Sequence, residues 1–84
     1  MAFVAGEKLV ASAATPEALA GSTTVTSVVV QAKPGNTKSL FIGTSGTQKL
    51  ELLPGASVGF NVTNLNLVFV KVQVNNEGAN YLGV

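Results

Sequence analysis

Leu50-Glu51-Leu52-Leu53-Pro54-Gly55-Ala56-Ser57-Val58-Gly59-Phe60-Asn61-Val62, carried on through Leu65 to Val74, is the stretch whose reading decides the fold. Pro54 presets φ for the first corner of a β-turn, and Gly55 accepts the positive φ that a type II turn needs at the second. After the turn, Ser57 to Val62 alternates cleanly, which puts Val58, Phe60 and Val62 on one face. Leu65 to Val74 is apolar on both faces at its start and alternates only later. A strand with two apolar faces needs cover on both sides, so a central strand is predicted there.

Working outward, Val25 to Lys33 is rich in β-branched residues and reads as a strand. Thr24, Thr26, Val28, Val30 and Ala32 share one face; Val25, Ser27, Val29 and Gln31 share the other. Lys33-Pro34-Gly35-Asn36 repeats the Pro-Gly turn chemistry. Ser39 to Gly43 is the next strand, and Thr44-Ser45-Gly46-Thr47 a polar turn leading to Leu50. Asn75-Asn76-Glu77-Gly78 signals a hairpin in which Gly78 can take the left-handed conformation, and Asn80 to Val84 is a final strand. Toward the N-terminus, Thr15 to Gly21 carries helix signals. Thr15 can cap, Pro16 suits the first position, Glu17 favours the positive end of the dipole and Gly21 can terminate. Glu7 to Ala14 has the alternation of a weak edge strand, and Met1 to Gly6 reads as an apolar arm.

About seven short strands, with turn signals every ~8–12 residues, predict an all-β domain. The expected form is a small antiparallel β-sandwich or barrel, jelly-roll-like, with at most one short helical turn. It is a single domain over 15–84, preceded by an N-terminal arm and edge strand over 1–14.

Composition narrows the function. The 84 residues are 46% hydrophobic and only 11% charged, with five Lys, no Arg and a net charge of +1. Scattered lysines give no electrostatic grip on nucleic acid, so none is expected as a partner. Neither Cys nor His is present, which removes disulfides, thiolate chemistry and most transition-metal sites. A chain so short usually needs a staple or a partner, so oligomerisation is expected. No segment approaches the ~20 apolar residues of a membrane helix. A signal peptide ending near Ala20 fits poorly, because no basic residue precedes the apolar stretch, Glu7 interrupts it and Pro16 follows.

The chemistry of a catalyst is thin. Asp is absent, and Glu7, Glu17, Glu51 and Glu77 fall on arm, helix, strand and turn with no motif spacing. Ser39 beside Lys38 and Ser57 near Lys49 read as solvated residues, and no enzyme is expected. Gly43-Thr44-Ser45-Gly46 lacks the spacing, the Lys-Ser/Thr pair and the following helix of a phosphate loop. Asn61-Val62-Thr63 matches the glycosylation sequon, a pattern short enough to match often by chance, and Asn61 and Thr63 more simply supply a solvent-facing polar row on an alternating strand. Thr23, Thr24, Thr26 and Ser27 read as a hydroxyl-bearing edge. Among the aromatics, Phe60 and Phe69 read as core, Phe41 is undecided, Phe3 lies outside any strand, and Tyr81 suits an interface rim.

Five pieces in order resemble small structural proteins encoded among bacteriophage virion genes. They are Thr26 to Thr37, whose strand runs into Pro34-Gly35-Asn36-Thr37; Leu40-Phe41-Ile42-Gly43; Leu52-Leu53-Pro54-Gly55-Ala56-Ser57-Val58; Asn64-Leu65-Asn66-Leu67-Val68-Phe69-Val70; and Asn76-Glu77-Gly78-Ala79-Asn80-Tyr81-Leu82. The resemblance covers roughly residues 22–84. It departs at Ala56, where a Glu is usual, and in a shorter Thr44 to Lys49 loop. It implies a non-enzymatic virion component with no cofactor and no catalytic or metal-binding residue.

The reading that follows is a capsid decoration (cement) protein. It would be made in the host cytoplasm and carried on the capsid surface of the virion. There it would bind the major capsid protein or another virion protein as a homo-oligomer, with a trimer as the expected state. Phe3, Val4, Leu9, Val10 and Tyr81 are the expected protein-interface residues. Alternatives are a tail, fibre or head-to-tail component that binds a host surface, and a sugar-binding β-module.

Overall fold

The turn at Leu53–Ala56 forms as its residues require in the computed structural model, which describes residues 3–84. The Ala56 N–H donates to the Leu53 carbonyl at 2.8 Å, and Gly55 sits at φ 87°. Asn36 N–H closes the Lys33–Asn36 turn on the Lys33 carbonyl at 2.9 Å, but Gly35 takes no positive φ. One dipeptide thus serves two turn geometries, so the likeness of the two turns is local chemistry and not a repeated unit.

Among the described residues, eight strands run between such turns: β1 (Val4–Val10), β2 (Glu17–Ala18), β3 (Ser27–Ala32), β4 (Leu40–Gly43), β5 (Gln48–Leu52), β6 (Ser57–Asn61), β7 (Phe69–Lys71) and β8 (Glu77–Gly83). They form two four-stranded antiparallel sheets, ordered β1-β8-β3-β6 (sheet I) and β2-β7-β4-β5 (sheet II). This interleaving is the strand order of a jelly roll, which splits its strands between two packed sheets. The all-β antiparallel sandwich expected from sequence is the fold. Val28, Val30 and Ala32 of β3 face Leu40 and Ile42 of β4 and Val70 of β7 across a core completed by Val10, Leu19, Leu52, Leu65 and Ala79.

Four local expectations need correction. Thr15 to Gly21 is not helical: Glu17 and Ala18 pair with Val70 and Phe69, and the Leu19 N–H donates to the Val68 carbonyl at 2.7 Å. The segment could offer only a turn or two of helix, and nucleating a helix fixes several residues for one hydrogen bond. A ladder to β7 together with the fully buried Leu19 side chain outweighs that.

The long strand expected from Leu65 is interrupted in the same way by a non-local contact. Asn64 Oδ1 accepts from the Asn66 N–H at 3.0 Å and from the Thr23 N–H at 2.9 Å, and so caps a 3-10 turn over Leu65–Leu67. Among the described residues, the one short helical turn therefore lies here. β7 starts only at Phe69, and it is a central strand, lying between β2 and β4.

The expected arm, of which Met1 and Ala2 lie outside the described residues, becomes strand at Val4. β1 pairs with β8 along its whole length, from Val4 opposite Gly83 to Val10 opposite Glu77. Strand ends at Val10 because the chain then bends, with Ala14 at φ 70°. In the last hairpin it is Asn76, at φ 68°, and not Gly78, that takes the left-handed position. Gly78 is small for a different reason: a Cβ there would overlap the Lys8 carbonyl oxygen on β1.

Two distant segments lock this end of the sandwich. The buried Asn36 side chain donates from Nδ2 to the Gly78 carbonyl at 2.8 Å and accepts the Gly78 N–H at 3.2 Å. Next to it, the Glu77 carboxylate accepts the Thr37 hydroxyl at 2.7 Å and the Thr37 N–H at 2.8 Å. The hydroxyl, and then the N–H, hold Glu77 below the usual glutamate range. On β2, Glu17 is held low by Lys8, whose ammonium lies 2.9 Å away, and then by the Ala11 N–H. A carboxylate whose folded pKa is depressed adds stability above its unfolded value, near ~4.3, and loses it as pH falls through the folded value. The melting temperature should therefore hold steady from about pH 6 to 5 and decline below about pH 4. In scanning calorimetry, Glu77→Gln should make that decline shallower; an unchanged acid limb would show that the Glu77 contacts add nothing.

Candidate functional site

The outer face of sheet I carries three exposed large apolar side chains, Leu9, Val29 and Leu82. Register places Ala5 opposite Leu82 and Leu82 opposite Val29, and Val29 opposite Gly59, so one row crosses all four strands. Val29 and Leu82 are 47% and 45% exposed, high for large apolar residues in central strands. The adjacent row is Glu7, Asn80, Gln31 and Ser57. Its polar groups are largely satisfied by one another or by near neighbours. Glu7 is ion-paired with Lys33, and Asn80 Nδ2 donates to Gln31 Oε1 at 3.3 Å. The face therefore offers an apolar strip beside a neutral, hydrogen-bonded one, with little free charge.

The residues expected at an interface divide across the fold. Phe3, just ahead of β1, is 67% exposed and lies at the end of sheet I where Val4 meets Gly83. Leu9 is 48% exposed and shares the outer side of β1 with Ala5 and Glu7. Val4 lies partly exposed at the edge, its side chain close to Gly83. Val10 is fully buried, because the inner side of β1 faces the core at that end, and it is not available to a partner. Tyr81 is half-buried and packs against the core, its ring lying over Gly6, where an added Cβ would come within 2.7 Å of the hydroxyl oxygen. Phe3, Val4 and Leu9 thus remain at the surface, Tyr81 is half-buried, and Val10 serves the fold.

Val29 and Leu82 were not among the expected interface residues. A signal for the first exists in the sequence, since a valine stands in the row otherwise made by Ser27 and Gln31 on the outer side of β3.

A second apolar feature opens at one side of the sandwich, where β5 and β6 end their sheets. Ile42, Gly43, Thr44, Leu50, Val58, Phe60, Val62, Leu67 and Val68 line a groove of about 470 Å3. Val58, Phe60 and Val62 keep the shared inward face read from their alternation, but they are only half-buried. The opposite side, between β1 and β2, is bridged by the Lys8–Glu17 pair and by the Ala11 N–H on Glu17 at 3.3 Å.

Titratable groups do not converge on either feature. Glu7, Glu17 and Glu77 are each held by the contacts above, and Glu51 lies exposed on β5. Among the described residues, no group of three or more acidic side chains is placed to hold a metal ion, and no helix is long and apolar enough to cross a membrane. Phe41, undecided from sequence, is half-buried on β4 with the Lys71 ammonium 5.7 Å from its ring centre. Comparison of the chain with protein-family models, with curated proteins and with solved structures finds no match.

Proposed function

We propose that this chain is a non-enzymatic structural component of a bacteriophage virion, a capsid decoration protein that docks on a shell protein through the outer face of sheet I. The observation that carries the reading is the exposed Val29–Leu82 pair, set directly opposite each other in central strands beside a polar row whose one charged residue, Glu7, is paired with Lys33. Interface cores are depleted in charge and gain free energy from burying apolar surface, and this strip has both properties. The resemblance of residues 22–84 to phage virion proteins supplies the biological setting. The jelly roll, which viral capsid domains also use, adds only a fold-level analogy. On this reading the protein is made in the host cytoplasm, resides on the virion surface, acts as an oligomer and needs no cofactor.

The test is binding of the purified protein to capsids that lack it. Val29→Asp combined with Leu82→Asp puts charges on exposed positions, so the fold should persist while binding weakens about a hundredfold or more, as expected for unpaired charges buried in an interface. Phe3→Ala serves better than removal of residues 1–6, which would also delete part of β1. Unchanged binding by the double variant would overturn the docking face. Copy number in purified particles separates locations: hundreds of copies place the protein on the shell, whereas a handful places it at a tail or vertex.

A further inference from the structure

The two sides of the sandwich are finished differently. The β1 edge carries Glu7 and Lys8, both already engaged in ion pairs. β2 is two residues long, and β5 carries Lys49 and Glu51 next to a register irregularity at Ile42/Gly43. Charges, bulges and extreme shortness are the usual protections of a sheet edge. β6 has none of them. Ser57-Val58-Gly59-Phe60-Asn61 is uncharged, free of proline and regular in register with β3.

The phase of its ladder is set by two bonds, Val62 N–H to the Thr26 carbonyl and Ala32 N–H to the Ala56 carbonyl. In an antiparallel ladder, alternate residues bond to the partner strand. Val58 and Phe60 therefore turn their backbone groups toward β3, and Ser57, Gly59 and Asn61 turn theirs to the free edge.

We propose that a second copy of this chain covers the β5–β6 side through a two-fold contact in which β6 pairs antiparallel with β6 about Gly59. In this register Gly59 meets Gly59 and Ser57 meets Asn61, so every free backbone group on the edge finds a partner. Val58 falls beside Phe60 of the other copy, a β-branched residue against an aromatic one, which is a favourable cross-strand pair. The two half-open grooves then close on each other.

Charge supports the same axis independently. Leu50 lines the same groove as Val58 and Phe60, the two residues that flank Gly59. Among the described residues, its flanking Lys49 and Glu51 make no ion pair within the chain, and both are exposed. A two-fold axis near Leu50 sets Lys49 of each copy against Glu51 of the other. A cyclic trimer built by edge pairing would need β6 to meet a different edge, and the β1 edge carries the charged side chains of Glu7 and Lys8.

Sedimentation of the purified chain, without capsids, tests this separately from the virion reading. The expected mass is twice the 8.5 kDa of the chain. Gly59→Pro removes an N–H that points away from β3, a position where an edge strand tolerates proline. It should weaken the dimer about tenfold to a hundredfold, with the far-ultraviolet spectrum retained. Lys49→Glu alone should weaken it about tenfold, and adding Glu51→Lys should restore most of the loss, a rescue that a general fold defect would not give. A monomer at all concentrations, a trimer, or a dimer indifferent to both Gly59→Pro and Lys49→Glu would overturn the proposal.

Discussion

Gly78→Ala is expected to cost about 3 kcal/mol or more, a large share of the roughly 5–10 kcal/mol that holds a domain of this size together. The alanine methyl would overlap the Lys8 carbonyl oxygen and crowd the Lys8 carbonyl carbon at 2.9 Å. Both atoms are backbone, so no flexible side chain can swing aside. Nor can β8 yield on its other flank, since the buried Asn36 amide holds the Gly78 N–H and carbonyl together. What gives way is β1: it must leave β8 near the Leu9–Gly78 pair, and that exposes Val10. Urea denaturation followed by circular dichroism measures the effect. A loss under about 1 kcal/mol would show that β1 can slide without disturbing the core.

The second large effect is expected at Leu65. It is fully buried, so Leu65→Ala should cost about 3 kcal/mol through lost transfer energy and the cavity left behind. Leu67→Ala, two residues on, should cost less than about 1 kcal/mol, because Leu67 is 54% exposed. The contrast is diagnostic. A continuous strand would put both leucines on one face and make their losses similar, whereas the 3-10 turn capped by Asn64 separates them. Equal losses in chemical denaturation would return this segment to a strand.

These two positions also show where the sequence was and was not legible. The Pro54-Gly55 turn and the alternation of β3 and β6 were readable because turn chemistry and pleat depend on adjacent residues alone. Thr15 to Gly21 misled because its helix signals are local, while its actual partner, β7, lies some fifty residues away. Leu65 to Leu67 misled because Asn64 acts through its side chain, reaching Thr23 and Asn66 at once. Of the expected contact residues, Phe3, Val4 and Leu9 stayed at the surface, since edge position and apolar character suffice to mark them. Val10 did not, because the face a strand residue presents depends on where its ladder begins. The groove was beyond sequence reasoning altogether. It exists only because β5 of one sheet and β6 of the other end side by side, a juxtaposition fixed by the whole topology.

The pairing of Val4 with Gly83 has a mechanical consequence. Force applied to the chain at these two neighbouring points would load the β1–β8 ladder at one end. Its pairs would then open in turn, Val4–Gly83 first and Val10–Glu77 last, each requiring little force. A tether attached there would peel this domain apart gently, whereas the same pull along the strands would meet the whole ladder at once.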